Sequence, residues 1–291
     1  MRAQTLQKLS PHVYWMPPDV PDRPSLAAIV GTRHTLMLDG AASPAHMQLF
    51  LDALAQENVR PPDFVALTHW HWDHIFGLAT LHVPVIANVR TGRRIAELVP
   101  LDWTDDALDQ RVADGREIAF CADNIKLELP EPRAVKIVQP SILFDKTLQF
   151  DLGGVTCIAE HVGGDHAEDS TIFYIPEDQF LFLGDCLYDA IYAPVRHYTR
   201  KNILPLLEKI LHYPAVCYSE GHSSCLTSAE MRQLAQQFQR AAQVVMALGE
   251  NAPHAIPDVL KAELGLDTLE RQQEFTELVQ GFVNGMTREG E

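Results

Sequence analysis

The sequence predicts an α/β fold built in layers, and three observations carry that prediction. Short β-branched or alternating apolar runs bounded by turn residues recur through the first three quarters of the chain. Segments with helical apolar spacing separate several of them. After Cys225 the strand pattern stops and only helical spacing remains. The strand-like runs are residues 12–15, 26–30, 35–38, 64–67, 83–87, 147–150, 155–160, 171–175, 180–183 and 215–218. Gly153-Gly154 marks a hairpin between two of them, and the turn residues 176–179 separate two more. Ser43 and Pro44 supply an N-cap and first helical residue ahead of Met47, Phe50, Leu51 and Leu54, which share one apolar face.

In the last quarter, Thr227 and Glu230 form a capping box. Met231, Leu234, Phe238, Ala241, Val245 and Leu248 follow at three- and four-residue steps until Gly249 offers a stop. A second amphipathic stretch covers residues 269–286. The expected organisation is a mixed domain over residues 1–225 and a helical extension over 226–291. So short a helical piece would struggle to stand alone and should pack on the main body. Residues 90–138 make a longer connection than two strands need and are expected to form a flap shaping a pocket.

Composition narrows the function. The 291 residues are 46% hydrophobic, and 23 Lys and Arg stand against 39 Asp and Glu for a net charge of -16. That charge, with no basic patch, argues against a nucleic-acid partner. The acidic run over residues 101–131 reads as a solvated face. No apolar run reaches membrane-spanning length and the first residues lack a signal-peptide pattern, so a cytoplasmic protein with no membrane partner is expected. Five cysteines without C-x-x-C spacing fit a reducing compartment. A small-molecule substrate is the partner this leaves; a homo-oligomer stays open.

The stretch THWHWDHIFG crowds His69, His71, Asp73 and His74 into six positions. On an extended segment His69 and His71 project to one side, able to meet one ion, while Trp70 and Trp72 turn toward the core. A turn after residues 64–67 can swing Asp73 and His74 toward a second ion. Catalytic zinc takes about three protein ligands plus water, so more donors must come from elsewhere. His166 in GGDHAEDS, Asp185 in FLFLGDCLY and His222 in SEGHSS each follow a strand-like run or sit beside glycines.

With these blocks in view, the sequence resembles the metallo-beta-lactamase superfamily over roughly residues 12–225. Asp39 in LMLDG, then T-H-x-H-x-D-H, a His in a glycine-bearing loop, G-D after an apolar strand and G-H occur in the family's order. The resemblance implies a four-layer αββα sandwich with metals at one edge between two sheets. It implies that His69, His71 and His166 hold one ion, that Asp73, His74 and His222 hold the other, and that Asp185 bridges them. Asp39 would orient a ligand histidine from outside. The usual T-P-G-H-T-x-G-S block is replaced by GGDHAEDS, without the proline and with Asp165 beside His166; His161 is the competing candidate. Some beta-lactamases of the family use a cysteine near Cys186, but they lack the final His of the motif, which His74 supplies here. Cys186 is expected as wall or outer support.

Two ions at such a site can supply hydroxide at neutral pH and polarise a carbonyl. The expected activity is zinc-dependent hydrolysis of a small ester, lactone or thioester, with Asp73 orienting the nucleophile. Iron or manganese also suits these donors. Tyr188, three residues after Asp185, has a spacing similar to that of the acyl-homoserine lactonases, where a phenol sits beside the substrate carbonyl. Arg196 and His197, in the loop 190–198, are candidates for contact with an anionic substrate group. The C-terminal helices stand where glyoxalase II proteins carry a substrate domain, but no glutathione-contacting pattern matches. A mononuclear iron sulfur dioxygenase is the alternative on the same fold, followed by a beta-lactamase or a nuclease.

Overall fold

The computed structural model describes residues 4–254 and 258–288. Strands β1 (Gln7–Lys8), β2 (Val13–Met16), β3 (Leu26–Val30) and β4 (Thr35–Leu38) form an antiparallel meander. Helix α1 (Pro44–Gln56) starts where Ser43 accepts a hydrogen bond from the His46 amide, as the cap pattern predicts. It leads to β5 (Phe64–Ala66) and then β6 (Val85–Asn88), both parallel to β4. Three helices follow over the long connection: α2 (Val89–Leu98), α3 (Asp105–Ala113) and α4 (Ala119–Glu128). Strand β7 (Ile142–Phe144), which the apolar pattern is too short to announce, closes this seven-stranded sheet.

The second sheet has six strands. β8 (Thr147–Asp151) and β9 (Thr156–His161) pair across the Gly153-Gly154 turn, whose positive φ values of 87° and 77° explain the glycines. β10 (Thr171–Ile175) and β11 (Phe180–Gly184) extend the meander. Helix α5 (Arg200–His212) crosses over to β12 (Cys217–Glu220), parallel to β11, and β13 (Leu226–Thr227) ends the sheet. Helix α6 (Ser228–Leu248) begins with the Thr227/Glu230 capping box read in the sequence; α7 (Asp258–Glu263) and α8 (Leu269–Gly285) follow.

The side-chain parity of the strands builds the layers. Val13, Trp15, Ala27, Ile29, Leu36 and Leu38 meet Phe173, Ile175, Phe180 and Phe182 between the sheets. Their alternate neighbours Tyr14, Met16, Ala28 and Met37 face Met47, Phe50 and Leu54 of α1 on the outside. On the other side Ile172, Tyr174, Leu181 and Leu183 pack against α5, α6 and α8 through Ile203, Leu206, Phe238, Val245, Phe275 and Phe282. Helix, sheet, sheet and helix are thus separated by three apolar seams, the four-layer arrangement expected. Phe173, Phe180 and Phe182 are fully buried, each contributing about 1.5 to 3 kcal/mol of transfer free energy. Among the described residues no helix is long and apolar enough to cross a membrane.

This topology sets where chemistry can occur. β11 and β12 run parallel and β10 runs against β11, so the end of β11, the end of β12 and the start of β10 share one edge. The loop after β5 joins them, because the Thr171 amide donates to the Thr68 carbonyl at 2.8 Å.

Candidate metal centre

Beyond β5 the chain bends at Thr68, is extended at His71, then tightens into a 3-10 turn over Trp72–His74. The turn carries Asp73 and His74 back to the cluster, with the His74 ring centroid 4.2 Å from that of His69. Trp72 is buried with Phe76 beneath it, as expected. Trp70 differs: it is half-buried rather than a core wedge, its ring stacked between Tyr192 and the Arg94 guanidinium. The arginine guanidinium and the tyrosine ring cover it without removing it from solvent altogether.

The donors gather into two groups. Ligand-capable atoms of His69, His71 and His166 lie within 4.8 Å of one another, and so do those of Asp73, His74, Asp185 and His222. Asp185 stands between them. Its Oδ2 is 3.9 Å from His69 Nε2 and 3.4 Å from His166 Nε2 in one group, and 3.4 Å from His74 Nε2 and from His222 Nε2 in the other. His161, the competing candidate, is turned away, with Nε2 on the Glu168 carbonyl.

Outer contacts fix the tautomers. Asp39 lies at φ 66° in the left-handed region, where the end of β4 aims its carboxylate back at the loop. It accepts from the Thr68 amide at 2.7 Å, from Thr68 Oγ1 at 2.9 Å and from His74 Nδ1 at 2.8 Å. Since the Thr68 hydroxyl donates to Asp39, it accepts from His69 Nδ1 at 2.9 Å. His166 Nδ1 donates to the Asp189 carbonyl at 3.2 Å. Each ring therefore keeps its proton on the outer nitrogen and presents Nε2 inward.

Glycines permit the close approach. A Cβ on Gly221 would sit 1.9 Å from Asp185 Oδ1. The acidic residue beside His166 also has a structural reason: Asp165 accepts from the Thr199 amide and hydroxyl at 2.7 Å and from Asn202 at 2.7 Å, so the start of α5 anchors the loop that the usual proline would stiffen.

The electrostatics match a cation site. Burial, and then the neighbouring histidines, push His69 and His71 well below the ordinary histidine range, leaving neutral imidazoles with free lone pairs. Burial would raise Asp73 and Asp185, but His74 and His222 outweigh it and hold both carboxyls below the usual range. Burial likewise opposes charge on His74 and His222, yet the carboxylates Asp73 and Asp185 raise both. The same attraction acts on any cation at that point. Three Nε2 atoms, on His69, His74 and His166, and Asp185 Oδ1 are buried without a hydrogen-bond partner. Unsatisfied buried polar atoms each cost about 1–3 kcal/mol, and cations of the kind these donors bind would satisfy all four. The residues fit a pair of metal ions.

A cavity of about 260 Å³ opens onto the cluster, lined by His71, Asp73, His166, Asp185 and His222 together with Asp22, Phe120, Cys121, Tyr188, Asp189, Ile191 and Arg196. Phe120 and Cys121 come from α4, so the long connection does shape the pocket. Tyr188 Oη accepts from the His222 amide at 3.1 Å. Burial keeps this phenol well above its ordinary range and therefore protonated.

Three expected site residues behave differently. Arg196 lines the cavity, but Nε and Nη2 make a bidentate pair with Asp189 at 2.8–3.0 Å, so its charge is already matched. His197 is buried with Nδ1 on the Val195 carbonyl at 2.9 Å, turned into its own loop and outside the lining. Cys186 is fully buried in the apolar seam between the second sheet and its helices, where burial raises its thiol; it supports the fold and not the donors. Asp22, in the β2–β3 loop, went unnoticed in the sequence because nothing in PPDVPDRPS marks it. Its carboxyl is pushed up to about 7 by burial and by Asp73 nearby.

Comparisons agree with this architecture. No curated protein matches the chain. A metallo-beta-lactamase family protein from Thermus thermophilus superposes with a TM-score of 0.61 at 19% identity, over 97% of this chain and 95% of that one. A metallo-beta-lactamase from Pontibacter korlensis gives 0.57 at 16% identity, over 79% and 96%. The stereoselective inverting sec-alkylsulfatase from Pseudomonas sp. gives 0.65 at 17% identity; 99% of this chain aligns, spanning 52% of that enzyme. These likenesses establish the fold. The family model of the metallo-beta-lactamase superfamily matches residues 20–264, past the boundary expected at 225 and over most of the chain. With its αββα layers and its seven clustered donors, the chain belongs to the metallo-beta-lactamase superfamily.

Proposed function

We propose that the protein is a zinc-dependent hydrolase of a small ester, lactone or thioester. The observation that carries the reading is the meeting of seven donors in two groups around Asp185, at the floor of a cavity of small-molecule size. In this reading His69, His71 and His166 hold one ion, Asp73, His74 and His222 the other, and Asp185 both. Bound there, a pair of divalent ions supplies a water nucleophile at neutral pH and polarises the substrate carbonyl.

The chain's own residues do the rest. Asp73, a carboxylate held ionised beside His74 and His222, accepts a hydrogen bond from the attacking water and orients it. Tyr188 accepts from the His222 amide and stays protonated, so its hydroxyl proton is there to be donated to the substrate carbonyl oxygen or the leaving oxygen. Phe120 and Ile191 offer apolar wall to the acyl portion. Because Arg196 is matched by Asp189, an uncharged acyl group suits the pocket better than an anionic one.

The test is an activity panel on zinc-loaded protein: uncharged lactones and esters, thioesters, nitrocefin, a sec-alkyl sulfate and glutathione persulfide. Hydrolysis of an uncharged ester, lactone or thioester, abolished by chelation and restored by zinc, is the expected result. Turnover of the persulfide alone, dependent on iron and dioxygen, would replace this reading with an oxidoreductase.

A further inference from the structure

Three of the inward-facing histidines owe their orientation to groups already described: His69 to Thr68, His74 to Asp39 and His166 to the Asp189 carbonyl. His222 lies in a loop between β12 and β13, half open to the cavity, with Nε2 3.1 Å from Asp73 Oδ2. Its outer nitrogen, Nδ1, stands 3.4 Å from Asp22 Oδ1. Asp22 comes from the opposite sheet, in a loop that supplies none of the seven donors.

That loop is tied to the His222 loop from several directions. Asp19 and Arg23 exchange backbone hydrogen bonds at 2.9 and 3.0 Å, closing a small ring with Asp22 inside it. Arg23 pairs with the buried Glu128 of α4 at 2.9 Å, and Ser43 at the start of α1 donates to the same carboxylate. The Ser25 amide donates to the Gly221 carbonyl at 2.6 Å, and the Ser25 hydroxyl to the Glu220 carbonyl at 2.8 Å. Ser25 thus grips the two residues that precede His222, while Arg23 fixes the backbone on the other side of Asp22. The spacing between the carboxylate and the ring is set by both loops together.

The geometry points to Asp22 as the positioning residue for His222: the carboxylate accepts Nδ1–H and so commits Nε2 to the space shared with Asp73 and Asp185. This rests on the metal reading of the site. A carboxylate behind a ligating histidine fixes its tautomer, limits ring rotation and strengthens the donor, and removing one typically weakens metal binding by about 10- to 100-fold. Because Asp22 faces one histidine of one group, its removal should weaken one of two bound ions and leave the other alone.

The experiment is a cobalt(II) titration of demetallated full-length wild type, Asp22→Ala and Asp22→Asn, followed by calorimetry and by the visible absorption of bound cobalt, with circular dichroism to compare the folds. For wild type two equivalents are expected. In Asp22→Ala one equivalent weakens by about 10- to 100-fold and the other is unchanged. Asp22→Asn, whose amide oxygen still accepts from Nδ1, falls between them. Two equivalents bound by Asp22→Ala as tightly as by wild type would overturn the inference, and so would equal weakening of both, which marks a general structural role. Fewer than two equivalents in wild type would instead overturn the dinuclear reading, and the inference with it.

Discussion

Asp39 Oδ2 receives the Nδ1 proton of His74 at 2.8 Å, while the same carboxylate receives the Thr68 hydroxyl that in turn holds His69. One fully buried side chain therefore aims a donor from each of the two groups. Asp39→Ala should weaken both metal equivalents by about 10- to 100-fold, in contrast to the single loss expected when Asp22 is removed. Competition with a chromophoric chelator measures this directly; unaltered affinity for either ion would separate Asp39 from the donors.

Gly221 leaves room for Asp185 and nothing else. Its Gly221→Ala variant must move a Cβ or a carboxylate that would stand 1.9 Å apart. Displacing Asp185 or His222 by that much should cut turnover by at least about 100-fold, since misplacement near 1 Å costs that order. The fold should persist, because Gly221 lies outside the three apolar seams. Full activity in a folded Gly221→Ala variant would show that the carboxylate position is unimportant.

Tyr188→Phe removes a donor and leaves the ring in place. With metal content unchanged, kcat on the best substrate of the panel should fall by about 10²- to 10³-fold, the usual effect of losing one aimed donor. Unchanged kcat would leave Tyr188 as support for the His222 amide alone.

Asp169 offers a test of stability. It is fully buried, neither carboxylate oxygen makes a well-formed hydrogen bond, and burial raises its carboxyl from 3.8 to about 6. The folded state thus keeps this proton when the unfolded chain has lost it. The associated stability is fully present below about pH 4 and is lost as pH rises through 6. Asp169→Asn should therefore stabilise the protein at pH 8 by on the order of 3 kcal/mol and change little at pH 4. Denaturant unfolding at both pH values measures it; equal effects at the two would contradict the assignment.

The strand runs were legible because each sheet is covered on both faces, so the inner strands read as dense apolar stretches with few breaks. Leu26–Val30, Thr35–Leu38 and Thr171–Ile175 fall where the pattern puts them. β1, β7 and β13 escaped because edge strands of two or three residues carry too little apolar periodicity. The donors were legible for a different reason: H-x-H-x-D-H packs four of them into six positions, and the family resemblance picked out His166, Asp185 and His222. Asp22 was not, since its place beside His222 depends on backbone ties between distant loops. Cys186 misled because adjacent residues leave the end of β11 toward opposite sides, Asp185 to the cavity and Cys186 to the apolar seam. His197 misled because nearness in sequence to a pocket loop does not say which way a ring turns.

The proposed activity needs two ions at this cluster. Full-length protein, stripped of metal and then saturated with zinc, should contain two equivalents by elemental analysis. His71→Ala and Asp185→Ala should each hold fewer, lose turnover and keep the wild-type circular dichroism spectrum. Wild type that takes up no zinc, or an Asp185→Ala variant with two ions and full activity, would contradict it.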